Sequence, residues 1–231
     1  MDWTFELIYG LHEVNRVLLG PANLLARSCS QMFSEPASWL SQLPGAARIG
    51  AGYEYFYQIS KNFEKPEFAI DQVEVRGAMV PVVEQTALLK PFCRLQRFKR
   101  YGDNAEIVAR LKGDPAVLLV APLSGHHATL VRETVLSLLT GHKVYVTDWL
   151  DARTVPLDQG PFTLDDYVGY IREFIRHIGA EHLHVISVCQ PAAAVLAAVA
   201  LMAAAGEPEP RTLTIMGGPV DARRNPTRVN H

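Results

Sequence analysis

Cysteine is scarce in this 231-residue chain: Cys29, Cys93 and Cys189 stand at wide, unpatterned spacing. An odd number with no repeating interval argues against a disulfide framework and fits a reducing compartment. An excess of one charge sign is also missing, with 22 lysines and arginines against 24 aspartates and glutamates, a formal net charge of −2. Such a balance offers nothing that seeks nucleic acid or acidic lipid. No stretch approaches the roughly eighteen apolar residues that suggest a membrane span. The opening MDWTFELIYGLHEVNRVLL starts with Asp2, and Glu6, Glu13 and Arg16 interrupt it. A secretory signal wants a basic start and an unbroken apolar core. The expectation is a soluble, cytoplasmic chain. Hydrophobic residues are plentiful, at 48%, enough for a sizeable core.

The texture divides the chain into a helical, loop-rich segment, 1–65, and a region of alternating strands and helices, 66–231. Leu7, Leu11, Val14 and Leu18 recur at three- and four-residue spacing, which predicts an amphipathic helix ended by Gly20-Pro21. GYEYFYQISKNF gathers Tyr53, Tyr55, Phe56 and Tyr57 into a short helical segment. After Pro66, IDQVEVRGAMVPVVEQTALL and FCRLQRFKR alternate apolar with polar residues, the period of half-buried strands. They predict an antiparallel pair at one edge of a sheet.

The rhythm then becomes strand and helix in turn. AVLLVAP, KVYVTDW, LHVISV and RTLTIMGG read as four apolar strands, and three helical segments separate them. The middle helix starts at Thr163 as N-cap and stops at Gly179. This order predicts an α/β fold, an open and mostly parallel sheet. Ligands of such sheets gather at the carboxyl ends of the strands, here APLSGHH, TDWLDAR, SVCQP and MGGPVDARRNP.

One of those ends carries a thiol at a corner. In Ser187-Val188-Cys189-Gln190-Pro191, the cysteine closes a strand and an alanine-rich helix follows at once. This is the layout of a nucleophile elbow, usually G-x-S-x-G, with small residues two places before and after the nucleophile. Ser187 is small enough for the first place, and Pro191 suits a first helical turn that needs no N–H. A sulfur there faces the positive end of the helix dipole, a setting that suits an anion. The Gln190 backbone N–H is placed to steady an oxyanion, with a second donor expected in the loop holding Ser124 and Gly125. His126 and His127 in that loop are candidates for lining a substrate site, with helix-end packing as the alternative. The bland reading of Cys189 itself is a small buried hydrophobe.

HVISVCQPAAAVLAA, VAPLSGHHATLVRETVLSLL, VYVTDWLDARTVPLDQGPFTLDDYVGYI and IMGGPVDARRNPTRVN resemble the intracellular polyhydroxyalkanoate depolymerases. YEYFYQISKNFEKPEF is similar too. The resemblance implies an α/β-hydrolase that cleaves stored poly(3-hydroxybutyrate) at granules in the cytoplasm, without a cofactor. It implies Cys189 as the nucleophile of a Cys-His-Asp triad and a thioester acyl-enzyme. It further implies that the sheet is incomplete at its carboxyl-terminal side, with the acid and histidine lying beyond His231. Ser187 and Pro191 depart from the glycines that related polyester synthases keep around their cysteine. Two other functions stay open: a synthase-like acyltransferase using the same thiol, and a non-catalytic granule-binding protein.

Other chemistry-bearing residues read as structural. Asp148 ends a strand, with Arg153 as its expected partner and a catalytic role as the alternative. Asp221 reads as part of an arginine-held turn, with a catalytic acid as the alternative. His182 and His184 share a strand face but lack further ligands for zinc, so no metal is expected. The Tyr53–Tyr57 cluster and the first helix suit core or subunit contact, hence a homo-oligomer, or contact with a granule surface.

Overall fold

A computed structural model describes residues 20–61, 65–123, 127–221 and 223–224 of the chain. Contacts divide the chain into two units, 1–64 and 65–231. The amphipathic helix expected around Leu7–Leu18 lies outside the described residues.

In the first unit, helices α1 (Gly20–Ser34) and α2 (Ala46–Ser60) pack on each other. They meet through small residues: Ala26 and Ser30 are buried on α1, Ala46 and Gly50 on α2. A Cβ on Gly50 would lie 2.7 Å from Ser34 Oγ, which can rotate aside, and 3.4 Å from Phe33 Cβ, so the two helices approach closely there. Gly20-Pro21 opens a helix, because a proline in the first turn gives up no needed hydrogen bond. Part of the aromatic cluster is used within the unit. Phe33 stacks on Tyr53 at 6.3 Å, and both Arg27 and Lys61 lie over the Tyr57 ring.

The second unit is built on seven strands: β1 (Gln72–Val75), β2 (Ala78–Leu89), β3 (Cys93–Arg100), β4 (Ala116–Val120), β5 (Lys143–Trp149), β6 (Leu183–Val188) and β7 (Thr212–Met216). They form one sheet in the order β1-β2-β3-β5-β4-β6-β7. The pairings β1–β2, β2–β3 and β3–β5 are antiparallel; β5–β4, β4–β6 and β6–β7 are parallel. The expected antiparallel strand pair is thus a meander of three strands. Positive φ at Arg76 and Gly77 makes the tight turn between β1 and β2.

Helices α3 (Ala105–Gly113), α4 (Arg132–Leu139), α5 (Leu164–Ile178) and α6 (Ala192–Ala204) complete the unit. The alternation along β4 decides what each face buries. Leu118 and Val120 face Ile171, Phe174 and Ile175 of α5 and Val195, Ala198 and Met202 of α6. Leu119 and Ala121 face Val135 and Leu139 of α4 together with Phe68 and Phe98. Thr163 and Asp166 form a reciprocal capping box at the start of α5, and Gly179 closes it at φ 98°. Among the described residues no helix is long and apolar enough to cross a membrane.

Strand order matters most for function. From β4 the chain moves to one side to make β5, then returns past β4 to make β6. Direction therefore reverses at β4, and the connections leaving β4 and β6 diverge to opposite faces of the sheet. A crevice opens at such a point above the carboxyl ends. Val120 is directly paired with Ser187, so the loop after β4 and the turn after β6 begin side by side.

Candidate active site

Cys189 follows β6 and precedes α6 by two residues. Its φ is 64°, in the left-handed region, which costs an L-residue about 1–2 kcal/mol. The sulfur-bearing residue is exposed, whereas Ser187 beneath it is fully buried. The core-cysteine alternative is thereby excluded. A strained, exposed side chain between a buried strand and a buried helix start is what a nucleophile elbow requires. The mostly parallel sheet carrying this elbow is an α/β fold of hydrolase type.

Three contacts hold the elbow. The Cys189 N–H donates to Met216 O at 2.8 Å, tying it to the end of β7. The Cys189 carbonyl accepts from Ala192 N–H at 3.2 Å, joining it to the first turn of α6. Gly218, just past β7, completes the fit: a Cβ there would lie 2.4 Å from Cys189 O and 2.3 Å from Ala192 Cβ. Glycine is therefore required on steric grounds. The sequence reading passed over this residue, although a Gly-Gly pair after an apolar strand was its visible signal.

Gln190 has a role that was not foreseen. Its side-chain Oε1 accepts from the Leu123 N–H at 2.9 Å, bridging the elbow to the loop after β4. The two sides of the switch-point crevice are thus fastened together by the residue after the nucleophile. Ser124, Gly125 and His126, the remaining candidates for that loop, lie outside the described residues. His127 is described; it precedes the 3-10 turn Ala128–Val131, and its carbonyl accepts from Leu130 N–H at 3.0 Å. Among the described histidines it alone stands at the carboxyl end of the sheet. His182 precedes β6, and His184, near the start of β6, places Nδ1 2.8 Å from Thr212 Oγ1. Among the described residues, no group of three or more His, Cys, Asp or Glu side chains could hold a metal.

The expected Asp148–Arg153 pairing is corrected. Asp148 is fully buried and bonds Lys65 Nζ instead. Arg153 closes on Asp151, donating from Nε to both carboxylate oxygens at 3.0 Å. A partner two residues away is reached with little loss of side-chain freedom, whereas Asp148 lies beneath the sheet end. Burial, reinforced by the charge of Asp148, pushes the Cys93 thiol well above its usual range. Glu84 is raised too, chiefly by burial and against the opposing pull of Lys65. Cys93 is buried and held as a thiol, Cys29 is half-buried, and Cys189 is the exposed cysteine. Asp221 is used by its turn: Arg223 Nε donates to Oδ1 at 2.8 Å and Nη2 to Oδ2 at 3.0 Å.

No protein-family model matches the chain, and no curated protein matches it. Solved structures do. An ester hydrolase from the metagenome of Lake Arreo, solved with a bipyridine phosphonate derivative, is 18% identical; the match covers 90% of this chain and 60% of that one, with a TM-score of 0.45. A serine-to-alanine variant of an alpha/beta hydrolase from the same lake is 18% identical over 87% of this chain and 59% of that one, TM-score 0.41. The HSL homologue EstE7, from a metagenome library, is 16% identical over 84% and 56%, TM-score 0.39. The chain thus spans somewhat under two thirds of the length of each of these three structures.

Proposed function

We propose that this chain carries the nucleophile of an intracellular polyhydroxyalkanoate depolymerase, a carboxylic ester hydrolase working at polymer granules in the cytoplasm. The observation that carries the reading is an exposed cysteine at positive φ between β6 and α6, on the rim of the switch-point crevice. The family resemblance of the surrounding stretches supplies the substrate class.

In this reading the Cys189 sulfur attacks the carbonyl carbon of a 3-hydroxybutyrate ester. A tetrahedral oxyanion forms, the carbon–oxygen ester bond breaks, and the departing hydroxyl end takes up a proton. The thioester on Cys189 then reacts with water, which releases the acid and restores the thiol. The Gln190 backbone N–H, with the Ser124–Gly125 loop, steadies the oxyanion. His126 and His127 line the approach to it. The triad's acid and histidine come from the family resemblance, and we assign neither role to a residue of this chain.

The test uses an activated soluble ester, 4-nitrophenyl butyrate, followed by mass spectrometry of the peptides. A butyryl adduct on the Cys189 peptide, missing from Cys93 and lost in Cys189→Ala, is the expected result. Equal nitrophenol release by the native chain and Cys189→Ala, with no adduct, would remove Cys189 from the chemistry.

A further inference from the structure

His182 and His184, which share a strand face without the further ligands a zinc ion needs, line a cleft at the amino end of the sheet. Strands β4, β5, β6 and β7 start side by side there. Ala116 pairs with both Lys143 and Leu183, and His184 pairs with Thr212. The cleft has a volume of about 380 Å³. Lys112 lines it from the end of α3, Lys143 from the start of β5, and Arg211 from just before β7. Three cations and two imidazoles therefore converge from four separate connections. The carboxylate among them, Asp114, is committed to the buried Arg100 guanidinium at 2.7 Å. In a chain whose charges balance to −2, such a local excess repels itself and is relieved by a bound anion.

Local duties account for part of the cluster. Lys143 Nζ donates to Lys112 O at 2.7 Å and so caps the carboxyl end of α3. Thr212 Oγ1 lies 2.8 Å from His184 Nδ1 and fixes the plane of that ring. Lys112 and Arg211 have no such duty: among the described residues, neither side chain forms an ion pair or hydrogen bond. A divalent metal wants uncommitted carboxylates or more neutral nitrogens, and three cations repel it. An anion with at least two negative charges answers them, and the volume is that of a small-molecule site. The larger cleft alongside is less suited, because Glu207 holds Arg176 there and Glu181 adds a negative charge. We propose that the amino-end cleft binds a small phosphate-bearing anion, with Lys112 and Arg211 as its principal contacts. The planar fork of Arg211 matches two phosphate oxygens, and Lys112 supplies a point charge. Cys189 lies past the far end of the six-residue strand β6, about 20 Å away. The site is thus separate from the elbow, and the inference does not depend on the hydrolase reading.

Equilibrium dialysis of the full chain against labelled pyrophosphate, at low ionic strength, tests the assignment. Saturable uptake of one pyrophosphate per chain is expected, with Lys112→Gln and Arg211→Gln each weakening it about tenfold. Both side chains are exposed, and circular dichroism checks that the variants stay folded. Arg94→Gln removes an exposed cation opposite Asp148, at the other end of the sheet, and should bind as the native chain does. Unlabelled adenosine diphosphate and malonate then compete for the site. Adenosine diphosphate displacing the label at lower concentration than pyrophosphate assigns the cleft to a nucleotide; equal or weaker displacement assigns it to the free phosphoanhydride. Malonate, a dianion without phosphorus, should compete about tenfold less well. Lack of saturable uptake overturns the proposal. So does unchanged binding in the Lys112 and Arg211 variants, an equal loss in Arg94→Gln, or malonate competing as well as pyrophosphate.

Discussion

Replacing Gly218 by alanine tests the elbow without touching the thiol. The added methyl would meet the Cys189 carbonyl oxygen at 2.4 Å and Ala192 Cβ at 2.3 Å. Neither atom is the tip of a flexible side chain: one is backbone, and the other stands on the first turn of α6. Relief requires β7's exit to move away from the elbow as a body. Overpacking at well-filled sites costs about 1–3 kcal/mol, and two backbone-anchored clashes put Gly218→Ala at the upper end, about 3 kcal/mol. That corresponds to roughly a hundredfold shift toward the unfolded state. Gly217→Ala is the control, because Gly217 has φ 62° but open space around its Cβ position. Only the left-handed backbone penalty applies there, about 1 kcal/mol. Urea unfolding followed by circular dichroism compares the two at constant m-value, and iodoacetamide labelling of Cys189 reports on the elbow itself. If Gly218→Ala is as stable as Gly217→Ala and its Cys189 is alkylated at the native rate, the steric account of the elbow is refuted.

Two further outcomes follow from the charged groups. Lys65→Met strands the buried Asp148 carboxylate and should cost about 3 kcal/mol, the low end for a broken buried pair because Lys65 is one-third exposed; adding Asp148→Asn should recover part of that loss in urea unfolding. Glu207, held near pKa about 2 first by its hydrogen bond from Arg176 and then by Arg172, lies below its ordinary value of 4.5. Its pairing therefore contributes stability above about pH 4.5 that is lost as pH falls toward 2. The stability gap between native protein and Glu207→Gln should close over that window, and a gap constant from pH 6 to 2 would contradict the assignment.

Periodicity made much of the sheet legible. The apolar runs that become β4 to β7, the alternation of β3, and the Thr163 cap with its Gly179 stop all follow from local chemistry. The Cys189 corner was legible because a strand-to-helix junction is a local event. Helix α3 escaped notice because it is short: its nine residues carry one small apolar stripe, Ile107, Val108 and Leu111, of which Leu111 alone is buried, and Asn104 capping Ile107 N–H marks its start. The failures at the site share a cause. Lys65 reaches Asp148 across 83 positions and Leu123 meets Gln190 across 67, while Gly218 serves a carbonyl 29 residues earlier. Separations of that size are set by strand order, which no local pattern encodes, since β5 could have been laid on either side of β4.

Among the described residues, the elbow's backbone tether across the sheet runs to Met216 at the end of β7, which pairs with β6 from His184–Thr212 to Val188–Met216. The position of the reactive sulfur is consequently set by the register of those two strands, and any change that slid one along the other would carry the Cys189 corner with it.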